Sequence, residues 1–257
     1  MSDLSGKIGL VLGVANKRSI SWAIAQAAAK AGARIALTYP TERLEENVRE
    51  LAATLDNAVV LPCDVTSDAQ IAALAASLDS ECGGLDFVMH GAAFAPAAEL
   101  ANRFVHTSRE GFRIALDVSA YSLVALTAAC LPLLEKRGGG SVVTLSHIGS
   151  ERVFPNYNVM GVAKAALEST VRYLAADLGP QNIRVNALSA GPIKTLASAG
   201  IPGLSVMLQA QRERSPLRRG MELGEIADAA VFLLSDASRA ITGEVMMVDA
   251  GYHVVGI

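Results

Sequence analysis

The run Ile8-Gly9-Leu10-Val11-Leu12-Gly13-Val14-Ala15-Asn16-Lys17-Arg18-Ser19-Ile20-Ser21-Trp22-Ala23 decides the fold. An apolar stretch of strand length stops at a glycine, and after a short polar loop a helix opens at Ser19. A strand, a glycine turn and a helix N-terminus form a phosphate cradle. Free backbone N–H groups and the positive end of the helix dipole face an anion, and the glycine allows close approach. By itself the turn is a weak signal, because the pattern of three glycines is absent; its place after the first strand strengthens it.

The same unit recurs outward from this run. Strands are predicted near Ile8-Leu12, Arg34-Thr38, Ala58-Leu61, Phe87-His90, Ser141-Leu145, Arg184-Leu188 and Val245-Val248. Most are continuous apolar runs, which means burial on both faces. Helical periodicity fills the gaps at Ser19-Ala31, Glu42-Leu55, Asp68-Asp79, Glu110-Lys136, Asn156-Leu178 and Leu223-Ser235, with stops at Gly32, Gly138-Gly139-Gly140 and Gly179-Pro180. Alternation of this kind predicts α/β architecture: a three-layer Rossmann fold on a seven-stranded parallel sheet, one domain over residues 1–257. The segment 191–216 carries Pro192, Gly200, Pro202, Gly203 and Pro216, too punctuated for one regular element. It leaves the carboxyl end of a strand, where such sheets bind ligands, and reads as a flap over a site rather than a surface excursion.

Composition narrows the function classes. The 257 residues are 51% hydrophobic and 18% charged, enough for a large core. A formal net charge of -3 with scattered Lys and Arg gives no footprint for nucleic acid. Cys63, Cys82 and Cys130 lack CxxC spacing and His90, His106, His147 and His253 form no ligand pattern, so no metal is expected and the thiols fit a reducing cytoplasm. The N-terminus shows no leader, and the longest greasy stretch, Ala120 to Leu134, is broken by Tyr121, Ser122, Thr127 and Pro132 and reads as a buried helix. No stable membrane association is expected.

Two further strand ends agree with a cofactor groove. Cys63-Asp64-Val65 offers a carboxylate to an adenine amino group, although a turn or N-cap aspartate is as good an account of Asp64 alone. His90-Gly91-Ala92-Ala93 offers small residues against which a ribose can lie. After the second strand, Thr38-Tyr39-Pro40-Thr41-Glu42-Arg43 has no acidic residue at the strand end for a ribose 2′-OH, while Glu42 beside Arg43 would repel a 2′-phosphate. NADH is favoured, with NADPH not excluded.

The chemistry is carried by Tyr157-Asn158-Val159-Met160-Gly161-Val162-Ala163-Lys164. Tyr157 and Lys164 stand seven apart, close to two helical turns, which predicts one shared helix face. Either alone is more often a half-buried aromatic or a snorkelling lysine. Together, after a mid-sheet strand, they make a site. The ammonium holds the nicotinamide ribose, and the phenol donates to developing negative charge.

With Gly13 and Ser19-Ile20, Gly91-Ala92-Ala93-Phe94-Ala95-Pro96, Tyr157-x6-Lys164, Ser189-Ala190-Gly191-Pro192-Ile193-Lys194-Thr195 and Val248-Asp249-Ala250-Gly251, nearly the whole chain resembles the short-chain dehydrogenase/reductases, specifically the bacterial enoyl-(acyl-carrier-protein) reductases. The superfamily's usual tyrosine and serine positions hold Met160 and His147, so a carbonyl reductase would lack its proton donor. The resemblance implies hydride transfer from NADH to C3 of a trans-2-enoyl thioester on acyl-carrier protein, with Tyr157 stabilising the enolate. It implies that Gly13, Ser19, Ile20, Asp64, Val65, Ala92, Lys164, Ile193 and Thr195 line the cofactor, that Ala95 and Met160 touch the acyl chain, and that the chain is a homotetramer. His147 replaces a second family tyrosine and is either a proton relay or a shaper of the pocket. Pro40 stands where NADH-dependent members often carry glutamine. Two alternatives stay open: a relative acting on another enone or a carbonyl, and a cofactor-binding sensor without catalysis.

Overall fold

The computed structural model describes residues 3–195, 198 and 203–256. Strands β1 (Ile8–Val11), β2 (Arg34–Tyr39), β3 (Val59–Pro62), β4 (Phe87–His90), β5 (Gly140–Ser146), β6 (Ile183–Ala190) and β7 (Val245–Val248) form one parallel sheet in the order β3-β2-β1-β4-β5-β6-β7. Every expected strand forms, with ends within two residues of the prediction.

The helices are α1 (Ile20–Lys30), α2 (Glu42–Ala52), α3 (Asp68–Cys82), α4 (Ala97–Ala101), α5 (Arg109–Leu116), α6 (Ser122–Lys136), α7 (Asn158–Leu178), α8 (Leu204–Arg214) and α9 (Leu223–Leu234). Helices α1, α2 and α9 cover one face of the sheet and α3, α6 and α7 the other. Along each inner strand the pleat sends alternate side chains to the two cores. Val11, Phe87, Met89, Val143 and Leu188 pack on the α1/α9 side, and Leu10, Val88, Val142, Val185 and Ala187 on the α6/α7 side. Each fully buried Leu, Val or Phe contributes about 1.5–3 kcal/mol, so the three layers are held by burial on both faces.

Three departures from the sequence reading concern how elements are broken. Segment 191–216 contains a regular helix, α8, where punctuation argued against one; Gly203 precedes it as N-cap and Pro216 follows it. Of that segment, residues 196, 197 and 199–202 lie outside the described residues. The long helix after Ser108 is split into α5 and α6 by a π-turn at Asp117–Tyr121, and runs continuously over 109–136. By length and composition that run is long and apolar enough to cross a membrane, longer than the broken stretch suggested, although 44% of its most apolar window is buried inside the fold. Finally α4, five residues long, is too short for periodicity to reveal.

The sheet order places the functional groups. From β1 the chain winds outward through β2 and β3, then returns to pair β4 on the other side of β1. The crevice outside the carboxyl ends of β1 and β4 is therefore the topological switch point, where open α/β sheets bind ligands.

Candidate active site

The wall at the switch point is backbone. Gly13 follows β1 with φ +88, and a Cβ there would lie 2.4 Å from the Gly91 carbonyl oxygen after β4. Only glycine fits both the conformation and the approach. The loop to α1 is closed by the Ser19 hydroxyl, which accepts from the N–H groups of Ala15 at 3.0 Å and Asn16 at 3.1 Å. That hydroxyl does not cap α1, so the first-turn N–H groups of Ile20 and its neighbours remain for an anion.

Further along the groove, Asp64 follows β3. Its Oδ1 accepts from the Thr66 N–H at 2.9 Å and the Thr66 hydroxyl at 2.8 Å, while the cap of α3 is Ser67. The turn role weighed in the sequence is present, and the N-cap role is not. Val65 and Ala92 are half-buried beside these strand ends. Beyond β6, Ile193 and Thr195 form a turn around Ser198: its hydroxyl donates to the Ile193 carbonyl and accepts from the Thr195 N–H, both at 2.8 Å.

Outside β5 the wall is side chain. Lys164, 6% exposed, reaches back from α7, and its Nζ donates to the Leu145 carbonyl at 2.7 Å. The Tyr157 ring lies 4.9 Å from the His147 ring and so close to Gly149 that a Cβ there would approach it to 2.5 Å. Tyrosine and lysine thus meet the same strand end, residues 145–149, by a route the spacing did not predict. Tyr157 is not on the helix face; it is the N-cap of α7, flanked by Asn156 at φ +62 and Asn158 at φ +40. Asparagine tolerates this left-handed conformation better than most residues.

Burial sets the protonation states. It drives the Tyr157 phenol well above its ordinary value, with the Glu168 carboxylate adding to the effect, so the hydroxyl stays a donor. Desolvation pulls the Lys164 ammonium down to about 8, and Glu168 opposes that pull. His147 is lowered to about 4 by burial and by Lys164, against a smaller opposing pull from Asp249. It is therefore neutral near pH 7. Its Nδ1 accepts from the Gly149 N–H at 3.0 Å, which assigns the proton to Nε2. At the end of β4, His90, fully buried and lowered to about 3 by burial and then by Lys164, sits between Ser122 and Thr144 at 2.8 and 2.9 Å.

Three residues of the site escaped the sequence reading. Asn158 Nδ2 donates to the carbonyls of Asn102, Leu100 and Glu99 at 2.7, 3.0 and 3.3 Å, tying the end of α4 to the residue that follows Tyr157. Ser119, inside the π-turn, accepts from the Phe94 N–H and donates to the Phe94 carbonyl. Glu168 takes hydrogen bonds from Ser146 and Ser150. A buried glutamate four residues after Lys164 on an apolar helix stretch was a legible signal; the roles of Asn158 and Ser119 depend on distant partners and left none.

Ala95 and Met160, expected on the acyl path, pack with Tyr157, Val159 and Ala163 in a small apolar cluster. A cavity of about 480 Å³ opens nearby, walled by Phe154, Pro155, Met207, Ala210 and Tyr252, with α8 as one side.

These features have counterparts in known proteins. The sequence profile described as enoyl-(acyl carrier protein) reductase matches residues 13–253. The chain belongs to the enoyl-(acyl-carrier-protein) reductase family. The NADH-specific family member of Bacillus subtilis is 51% identical over 254 residues, 98% of both chains. That of Aquifex aeolicus is 49% identical over 257 residues, 100% of this chain and 95% of its own. Among solved reductases, the Bacillus cereus enzyme with NADP+ and an indole naphthyridinone superposes with a TM-score of 0.97 at 49% identity, covering both chains fully. The Anaplasma phagocytophilum reductase, solved with NAD, gives 0.95 at 46% identity, covering 100% of this chain and 98% of its own.

Proposed function

We propose that the chain reduces the C2–C3 double bond of a trans-2-enoyl thioester carried on acyl-carrier protein, using NADH, as a step of fatty acid biosynthesis. The observation that carries this reading is the approach of the Lys164 ammonium and the Tyr157 ring to one buried strand end, in a chain of this family.

The groove fits a dinucleotide. Backbone alone lines the closest approach of β1 and β4, uncapped N–H groups of α1 suit a pyrophosphate, and the crevice lies at the switch point. Gly13, Ser19, Ile20, Asp64, Val65, Ala92, Ile193 and Thr195 would hold it, with Lys164 at the nicotinamide ribose. Bound there, NADH would supply the hydride for C3, and a proton taken up at C2 from solvent would complete the reduction.

The protein's own groups handle charge. Negative charge develops on the thioester oxygen as C3 gains its hydride, and a phenol held protonated by burial donates a hydrogen bond to that oxygen. Lys164 adds positive charge nearby. Neutral His147 offers Nε2–H as a second donor, where the family's other tyrosine would stand. Ala95 and Met160 flank the acyl chain, and the segment 191–216, with α8, closes over it. Apolar side chains left exposed along 109–136, among them Phe112 and Tyr121, support burial between copies of this chain in a homotetramer rather than in lipid, in the cytoplasm.

The test is direct. Purified chain with NADH and a crotonyl or longer enoyl thioester should bleach the nicotinamide absorbance, and a comparison with NADPH and with His147→Tyr ranks cofactor and relay. No oxidation at any acyl length overturns the reading.

A further inference from the structure

One helical turn beyond Lys164, α7 buries a carboxylate that the reaction as described does not use. Glu168 is 6% exposed, and its Oε1 accepts from the hydroxyls of Ser146 and, at 2.7 Å, Ser150. Ser146 is the last residue of β5, and Ser150 closes the turn Ile148–Ser150. Between them lie His147 and Gly149, two of the residues against which the Tyr157 ring packs, and just before them Leu145, whose carbonyl receives Lys164. A carboxylate in an interior is expensive unless hydrogen bonds and opposite charge compensate it. Here two hydroxyls and a buried ammonium one turn away do so, and the carboxylate repays the ammonium in kind.

We infer that Glu168 is a positioning residue for the reduction: it clamps the strand end that seats Tyr157 and His147, and it sets a negative charge one helical turn from the Lys164 ammonium that grips the nicotinamide ribose. The inference rests on the reductase reading for the grip, and on geometry alone for the clamp. The groups that bear on this cluster are few. His90 from β4 and His147 after β5 are both neutral near pH 7, Tyr157 is held protonated, and Asp249 after β7 acts on His147. The anion that raises Lys164 against the burial pulling it to about 8 is Glu168. Removing that charge lowers Lys164 further, so its proton leaves at a lower pH.

Glu168→Gln separates the two functions, because the carboxamide oxygen still accepts from both serines while the charge is gone. In kcat/KM for NADH across mildly acidic to alkaline pH, the alkaline limb of Glu168→Gln moves acidward, giving about a tenfold loss at the wild-type limb for each unit moved. The paired variant Ser146→Ala with Ser150→Ala releases the clamp: turnover falls at every pH while the limb stays in place. A Glu168→Gln limb that superimposes on the wild type overturns the inference. Should Glu168→Gln fail to fold, Glu168→Asp replaces it; the charge remains and the reach shortens, so a shifted limb in that variant overturns it. Wild-type turnover run in parallel tests the reductase reading separately. If the wild type proves inactive, the pH dependence of NADH binding, followed by nicotinamide fluorescence, reads the same limb.

Discussion

Outside β1 and β4 the groove is walled by backbone: Gly13 against Gly91, uncapped N–H groups of α1, and a loop closed by one serine hydroxyl. Outside β5 it is walled by buried polar side chains, Lys164, Tyr157, His147 and Glu168, whose charges and contacts act on one another, with His90 shifted by Lys164. The first wall offers backbone groups that suit any dinucleotide, so what it demands of a side chain is chiefly that it be small. The second has to place a proton donor and a positive charge, and the low dielectric that strengthens them also makes each removal costly. Binding and chemistry should therefore fail separately.

The largest effect expected is on the side-chain wall. Tyr157→Phe keeps the ring that packs on His147 and removes only the hydroxyl, so kcat falls about 10²- to 10⁴-fold while NADH affinity and Tm hold. An equal loss of NADH binding would break the distinction between the walls. Next comes acid sensitivity. His90 and His147 are neutral in the fold, at about 3 and about 4, and the unfolded chain takes up their protons as pH falls through the ordinary histidine value. Their contribution is complete above that value and is lost on the way down to the folded values. By pH 5 each costs about 2 kcal/mol, which urea unfolding at pH 7 and pH 5 will show.

On the backbone wall, Gly13→Ala meets both a left-handed φ and the Gly91 carbonyl, for about 1–3 kcal/mol of strain. Calorimetry should show lower Tm together with weakened NADH binding, the reverse of the tyrosine variant. Asn158→Ala removes the donor that ties three carbonyls at the end of α4 to the start of α7. A loss of about 1–2 kcal/mol in transition-state stabilisation is expected, read as kcat/KM for the thioester with NADH affinity intact. Smallest is Glu45→Ala, which breaks a surface pair with Arg49 on α2 that also reaches the Tyr39 hydroxyl; stability read by calorimetry should change only slightly, with kcat unchanged.

Much of this was legible along the chain. The strands announced themselves because burial on both faces demands unbroken apolar runs, as in Phe87-Val88-Met89-His90. Gly13 after β1, and Tyr157 and Lys164 beside one another after a mid-sheet strand, were expected from residue type and spacing, and the structure brings them to those places. α8 was missed because flanking glycine and proline punctuate the segment without entering the helix. The π-turn at Asp117–Tyr121 was missed because one extra residue per turn barely disturbs an apolar pattern.

Local order in the sequence determined the alternation of strands and helices, the bare backbone beside Gly13, and which tyrosine and lysine come to the end of β5. Tertiary structure alone decided that Tyr157 would stand before α7 rather than on its face, that His147 would carry its proton on Nε2, and that Glu168 would clamp Ser146 and Ser150 beneath Lys164. The reason is range. Propensity and periodicity act over a turn or a strand, whereas protonation and aim are set by partners brought together from separate elements, whose desolvation exists only once the sheet is covered.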